Sequence, residues 1–224
     1  PFQRNIMPLI DLLQGEPKLR VEVCKTMMQH FARHQKDDMN DLLRVNLVLY
    51  IAKTLHDSVN AMTFEDERRQ LTDLILNFIR KVNYGRDFEA QLNFYVEARA
   101  SFSHLDGVLS HLVQATCALV MQALRIVKGV HNRKTSSFVR AAFGYCYITI
   151  PTIVSYWSRL SLYLLCAELA LVNTCLPQAE SMFEAAVALL ADAGELSESE
   201  LAGEKETWLV QYLSNFAGAL ILLP

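Results

Sequence analysis

HNRKTSSFVRAAFGYCYITIP, residues 131–151, begins with basic side chains and then runs through apolar residues until Pro151 stops it. Apolar residues recur in it at helical spacing on two adjacent faces, made by Phe138, Ala142, Tyr145 and Thr149 and by Val139, Phe143, Cys146 and Ile150. Proline lacks a backbone N–H and ends or kinks a helix. The stretch therefore predicts a helix over about 134–150 that is apolar on most of its sides and is expected to be enclosed by other parts of the protein.

The 18-residue windows 141–158 and 207–224 contain no Asp, Glu, Lys or Arg, so a membrane span has to be considered. Both windows carry several polar side chains, which hydrocarbon tolerates poorly without partners. An inner helix of a large helical protein is also apolar on all sides. We therefore expect buried helices here and no transmembrane span.

The same helical period continues along the whole chain, and sustained alternation of apolar and polar residues is absent from the sequence. Pro17 suits a first helical position, Asp87 can cap a helix, and Thr63 with Asp66 forms a weak capping box. The class is all-α, with about ten helices, placed at 17–34, 41–59, between Thr63 and Tyr84, after Asp87, and at 106–127, 134–150, 154–174, 177–191 and 206–222.

Short connections between successive helices favour antiparallel neighbours. Helical hairpins recur about every 40 to 45 residues, the period of HEAT-type repeats, although the sequence shows no internal self-similarity. We expect one HEAT-like α-α solenoid segment, 1–224, belonging to a longer protein. A compact helical bundle is the alternative.

Composition places the chain among globular proteins, with 52% hydrophobic residues, 20% charged residues and a net charge of −3. This balance excludes a disordered chain and gives no sign of nucleic-acid binding. Charged residues number 28 in 1–100 and 17 in 101–224, so the second part either packs more layers or presents an apolar surface to another protein. Residues 192–206 hold six acids and predict a solvated acidic loop.

Sequence patterns of catalytic or cofactor sites are not found. His30 and His34 have metal-ligand spacing, but the residues between them lack the glutamate of an H-E-x-x-H site. The five cysteines lie inside apolar helical runs and form no C-x-x-C pair, which predicts small buried side chains in a reducing compartment, the cytosol. We therefore expect no enzyme activity, no cofactor and no metal.

A basic segment surrounds the opening stretch. No acid lies between Asp106 and Glu168, whereas six basic residues do: Arg125, Lys128, Arg133, Lys134, Arg140 and Arg159. Arg133 and Lys134 stand where a helix begins, although the positive end of a helix dipole prefers acids. Either these side chains simply extend into water, or they contact an acidic partner loop or a phosphate group.

Three blocks carry a resemblance to a known family: KTLHDSVNAMTFEDERRQL (53–71), YGRDFEAQLNFYVEARASF (84–102) and the opening stretch (131–151). They resemble the large α-solenoid subunit of the retriever complex, a relative of the retromer α-solenoid subunit. The resemblance runs from about residue 9 to residue 190 and weakly from 206 to 224. It implies a non-enzymatic scaffold of endosomal cargo recycling, cytoplasmic and peripheral on endosomes.

In that family the later part of the solenoid holds a small subunit with a metallophosphoesterase-like fold, and the retriever assembly joins coiled-coil subunits in the larger Commander complex. No catalytic residue is implied. We hypothesise that His131, Arg133, Lys134 and Arg140 help to face an acidic partner surface, because this block stands out chemically. The alternatives are a generic helical-repeat adaptor of another pathway and a peripheral protein that binds anionic membrane lipid.

Overall fold

The computed structural model describes residues 2–59, 62–192 and 204–221. These residues form ten α-helices and two short 3₁₀ turns, and the only β-type pairing among them is an isolated bridge between Met39 and Val82. The α-helices are α1 Phe2–Leu12, α2 Pro17–His34, α3 Leu42–His56, α4 Glu65–Lys81, α5 Phe88–Ser101, α6 Asp106–Ile126, α7 Arg133–Thr149, α8 Tyr156–Val172, α9 Leu176–Asp192 and α10 Glu204–Ile221. The predicted all-α class is confirmed, and pairs of helices joined by short links fit a helical solenoid.

The predicted start of α2 at Pro17 is confirmed, as is the cap at Asp87, whose carboxylate accepts from the backbone N–H of Ala90 at 3.0 Å. Helix α4 begins at Glu65, with Phe64 at the capping position, one residue after the Thr63 that the sequence pattern suggested. Three acids in its first turn, Glu65, Asp66 and Glu67, supply favourable charge at the positive end of the helix dipole.

Helix α1 has no counterpart among the predicted helices. It contains Pro8, and a proline inside a helix removes one backbone hydrogen bond. Its side chain at Ile10 is fully buried. Burial of apolar surface therefore outweighs a local preference that argues against a helix.

The chain divides into two compact units, Pro1–Leu112 and Val113–Pro224, and the boundary falls inside α6. In the first unit α2 packs against α3 and α4, and α3 also packs against α1 and α5. Phe78 lies at the centre of this core, fully buried, with its ring edge-on to Phe31 and Phe94 at centroid distances of 6.2 and 5.8 Å. The expectation of one continuous segment stays a prediction.

In the second unit α8 and α9 form a helical hairpin, α7 packs against both, and α10 packs against α8. Aromatic rings join α10 to this hairpin. Trp157 meets Trp208 edge-on at 5.0 Å, Trp208 stacks on Tyr212 at 5.1 Å, and Phe216 meets Phe183 of α9 at 5.5 Å. These contacts place much of the apolar content of the second part inside its own core.

One described helix, α6, is long and apolar enough to cross a membrane by length and composition, and 56% of its apolar window is buried in the protein. A core helix of a soluble protein passes the same test. In the window 141–158, α7 ends at Thr149 and the 3₁₀ turn Ile150–Thr152 follows. The window 207–224 lies in α10 up to Ile221, and its last three residues lie outside the described ranges.

The predicted acidic loop 192–206 lies mostly outside the described residues. Asp192 ends α9, and Glu204 begins α10, two residues earlier than the predicted start at 206. The ends of α8, predicted at 154 and 174, fall at Tyr156 and Val172. Helix ends vary by this amount between different criteria.

Candidate functional site on helix α7

Helix α7 begins with a capping box that the sequence analysis did not identify. The Asn132 side chain accepts from the backbone N–H of Thr135 at 2.9 Å, and the Thr135 hydroxyl accepts from the backbone N–H of Asn132 at 2.9 Å. These reciprocal bonds satisfy donors that the first turn of a helix leaves open. The sequence Asn-x-x-Thr was the available signal, and it sets the start of α7 at Arg133.

Arg133 and Lys134 occupy the first two positions of α7, as predicted, and both are exposed. Arg140 is also exposed, and its Nε donates to the Ser136 carbonyl at 3.3 Å. Seven residues separate Arg133 from Arg140, so they lie on the same side of the helix about 10 Å apart along its axis. The structure therefore aligns two of the predicted basic residues on one surface.

Ion pairing does not neutralise these charges within the described part of the chain. The salt bridges formed there by Arg or Lys, Arg20–Asp11, Arg44–Asp41, Lys53–Glu97 and Arg69–Glu65, all lie in the first unit. Near the turn between α8 and α9, the Arg140 charge opposes the rise that burial causes in the pKa of Cys175. The basic side chains at the start of α7 therefore carry positive charge that no ion pair with a described residue compensates.

The expectation that this helix is enclosed is wrong for the described chain. One side of α7 is buried, through Val139, Ala142, Phe143, Tyr145, Cys146 and Thr149. The opposite side, which we call the open face of α7, consists of Arg133, Ser137, Arg140, Ala141, Gly144, Tyr147 and Ile148, all exposed. Packing against α8 and α9 covers only one side of a helix, and the sequence pattern alone cannot tell an inner helix from one that keeps an apolar face outside.

The open face changes in character along its length. Its first half carries the two arginines, its middle is small at Ala141 and Gly144, and its end is apolar, with Tyr147 44% and Ile148 54% exposed. Val154, just beyond the 3₁₀ turn, is 82% exposed. A Cβ added at Gly144 would meet nothing within 4 Å, so packing among the described residues does not require a glycine there.

His131 differs from the other predicted site residues because it is half-buried and bonded within the unit. Its Nε2 lies 2.9 Å from Oδ1 of Asn173, a residue that is only 1% exposed. The Asn173 amide nitrogen donates to the Leu169 carbonyl at 2.7 Å, so Oδ1 is the acceptor and His131 Nε2 is the donor. His131 therefore fixes the segment before α7 to the end of α8, a role that sequence analysis missed because 42 residues separate the two partners.

The histidine pair considered from sequence makes a ring contact, with the ring centroids of His30 and His34 4.1 Å apart. Elsewhere in the first unit, His104 stacks on His56 at 6.0 Å. His111 lies half-buried, and its pKa is lowered by burial and by the charge of Arg80. Within the described ranges, the group of three potential metal ligands is a different one, formed by Cys117, Cys146 and Cys166.

All five cysteines are free and buried, which confirms the expectation of buried side chains. Cys117 and Cys166 lie with their sulfurs 3.6 Å apart, and the Cys146 sulfur completes a group in which all three lie within 4.8 Å of one another. No local pattern of residues predicts this cluster, because the three cysteines come from three different helices.

Comparison with known proteins supports the resemblance seen in the three blocks. A family model described as the VPS35L C-terminal domain matches residues 3–224. The mouse and human proteins named VPS35 endosomal protein-sorting factor-like are 44% and 43% identical to this chain over 221 residues, 98% of its length. The Drosophila melanogaster protein named VPS35 endosomal protein sorting factor-like is 41% identical over 225 residues.

The chain spans 23% of the length of each of these three relatives. The family match also extends beyond the blocks noted in the sequence, through the acidic stretch to residue 224. The identity holds over nearly the whole chain and well above the level at which fold alone is shared. The chain belongs to the VPS35L C-terminal domain family, the endosomal protein-sorting factor-like proteins related to VPS35.

Proposed function

We propose that this chain is a non-enzymatic scaffold segment of an endosomal cargo-recycling complex, and that it binds the small metallophosphoesterase-fold subunit of that complex. Membership of an endosomal sorting-factor family supports the scaffold role. In this proposal the whole protein lies in the cytoplasm, peripheral on endosomes, and also contacts the other retriever subunits and the coiled-coil Commander subunits. The chain contributes a binding surface and no catalytic group.

The observation that carries the proposal is the open face of α7. Protein interfaces combine an apolar centre with a polar or charged rim. Ile148 and Tyr147 supply exposed apolar area, while Arg133 and Arg140 supply positive charge at the other end of the same face. Gly144 between them allows another chain to approach the helix backbone closely.

The open face of a single helix is too small for a stable complex, since each partner in a standard interface buries about 800 Å². The two helices that pack against α7 add exposed apolar residues of their own, Val172 on α8 and Leu176 and Val187 on α9. In our proposal the small subunit covers the open face of α7 and part of this hairpin. Arg133, Lys134 and Arg140 face acidic groups of the partner, and His131 holds the segment that presents them.

The test compares matched charge reversals on two helices. Lys134 and Lys18 are both exposed lysines at the second position of a helix, α7 and α2 respectively. Acids at either position favour the helix dipole, so Lys134→Glu and Lys18→Glu should affect folding alike. Arg133→Glu combined with Lys134→Glu should weaken binding of the small subunit by about tenfold at low salt and by less at high salt, because exposed charges are screened over about 8 to 10 Å.

Calorimetry at two salt concentrations provides the measurement, and Lys18→Glu is the control that should bind normally. A second pair tests the apolar half: Ile148→Asp should weaken binding, while Leu19→Asp on α2, with similar exposure, should not. Affinity that does not change in the charge-reversed variant at either salt concentration would remove the basic residues from the interface. Normal binding by Ile148→Asp as well would refute the open face as the docking site.

The uncompensated basic segment also fits an anionic membrane surface, where each basic residue near the lipid contributes about 1 kcal/mol. Flotation with vesicles that contain acidic lipid tests this second candidate. Binding that is lost in the Arg133→Glu and Lys134→Glu variant, together with failure to bind the small subunit, would favour the lipid. Recovery of the phosphoesterase-fold subunit and coiled-coil proteins from cytosol separates the proposed complex from a generic adaptor.

A further inference from the structure

Three helices of the second unit each contribute one cysteine to a single point in its core. Cys117 comes from α6, Cys146 from α7 and Cys166 from α8, and their exposed fractions are 3%, 0% and 0%. All three sulfurs lie within 4.8 Å of one another, and those of Cys117 and Cys166 lie 3.6 Å apart. Small apolar packing alone does not require three thiols to converge in this way.

The spacing matches that of sulfurs around one metal ion. With metal–sulfur bonds of about 2.3 Å, three sulfurs lie roughly 4.0 Å apart in a planar trigonal site and roughly 3.8 Å apart in a tetrahedral one. The observed separations, 3.6 Å between the Cys117 and Cys166 sulfurs and no more than 4.8 Å for any pair, are compatible with these values. An ion could therefore bind with small rotations of the three side chains and without moving the helices.

The ligand set selects the kind of ion. Thiolate sulfur is soft and favours Cu(I), Zn(II) and iron–sulfur clusters. Zn(II) takes four ligands, and among the described His, Cys, Asp and Glu side chains the group contains three donors only. The burial of all three sulfurs leaves no opening for water to serve as a fourth ligand. A three-coordinate monovalent ion fits this site better.

We propose that Cys117, Cys146 and Cys166 form a three-sulfur site for one Cu(I) ion that ties α6, α7 and α8 together. Each sulfur that binds as a thiolate releases its proton to solvent, and no electron is transferred, so the affinity rises with pH. The site is separate from the open face and does not rest on the proposed partner.

The experiment uses the reduced full-length protein under anaerobic conditions, titrated with Cu(I) against a chromophoric Cu(I) chelator. We expect one ion retained per chain and X-ray absorption at the copper edge that shows three sulfur neighbours. Cys117→Ala, Cys146→Ala and Cys166→Ala should each lower the affinity for Cu(I) at least tenfold. Cys175→Ala, which removes a buried cysteine of the same unit outside the cluster, should retain the ion.

Circular dichroism checks that each variant folds. If a variant does not fold, the number of copper ions bound by the unaltered protein and the number of sulfur neighbours of the copper still test the proposed site. Loss of all copper to the chelator would overturn the proposal. So would coordination by fewer than three sulfurs, retention of Zn(II) but not Cu(I), or an equal loss of copper in Cys175→Ala.

Discussion

The His131 Nε2 atom lies 2.9 Å from the Asn173 Oδ1 atom, so one hydrogen bond connects the segment before α7 to the end of α8. The His131 Nδ1 atom is buried and has no hydrogen-bond partner among the described residues. In this contact Nε2 carries a proton and donates it to the Asn173 oxygen. It determines where the basic start of α7 lies within the second unit.

We expect His131→Ala to lower the free energy of unfolding of the second unit by about 1–3 kcal/mol, because it leaves the buried Asn173 oxygen unpaired. Both tryptophans, Trp157 and Trp208, lie in this unit, so their fluorescence during denaturant unfolding reports on it selectively. His34→Ala, at an exposed histidine of the first unit, serves as the control and should change this transition little. Equal stabilities of the His131→Ala variant and the unaltered chain would show that the bond contributes nothing.

Removal of the α7 cap should also destabilise the second unit. Asn132→Ala deletes the side chain that accepts from Thr135 N–H, and a lost cap costs about 1 kcal/mol. Asn132→Asp should preserve the cap and add favourable charge at the helix start. Denaturant unfolding followed by tryptophan fluorescence measures the stability of both variants. Ser137→Ala, on the exposed side of α7, is the control. The expectation fails if Asn132→Ala and Asn132→Asp are equally stable.

Substitutions at Gly144 should have different effects on the stability of the chain and on its binding to a partner. Gly144→Ala should raise stability by about 0.5–1 kcal/mol, since alanine favours a helix interior and its Cβ meets nothing within 4 Å. Gly144→Trp should keep the chain folded yet weaken binding of the small subunit by steric obstruction. Gly218→Ala, at a similarly open glycine of α10, should stabilise without affecting binding. Full affinity of Gly144→Trp would place the partner elsewhere.

His111 should make the first unit less stable at acid pH. Burial and the Arg80 charge lower its pKa in the folded chain, so the unfolded chain takes up the proton first as the pH falls. The contribution of neutral His111 to the free energy of unfolding is fully present above the pKa of 6.5 that the residue has in the unfolded chain. It is lost as the pH falls from there through the lower pKa that His111 has in the folded chain. His111→Gln removes this pH dependence of stability.

Differential scanning calorimetry of the two proteins between about pH 7.5 and 5 measures this effect. The transition temperature of the unaltered first unit should fall more steeply with acid than that of His111→Gln. His34→Ala is again the control and should follow the unaltered chain. Parallel pH profiles of the unaltered chain and His111→Gln would contradict the lowered pKa.

Local signals in the sequence were sufficient for most helices, because their causes lie within a few residues. Pro17 has no N–H to lose at a first helical position, and the Asp87 carboxylate reaches an N–H three residues away. The same kind of reasoning placed the start of α4 one residue too early, because its capping position is Phe64 and not Thr63. It also offered no support for α1, whose Ile10 is fixed by burial against other helices.

The all-α class, the helix period, the basic segment from Arg125 to Arg159 and, through the three blocks, the family could all be predicted from the order of the residues. The exposed side of α7, the bond between His131 and Asn173 and the meeting of three cysteines from three helices could be seen only once the helices were packed. Capping and periodicity act between residues a few positions apart, whereas packing joins residues 20 to 49 positions apart in the cysteine cluster.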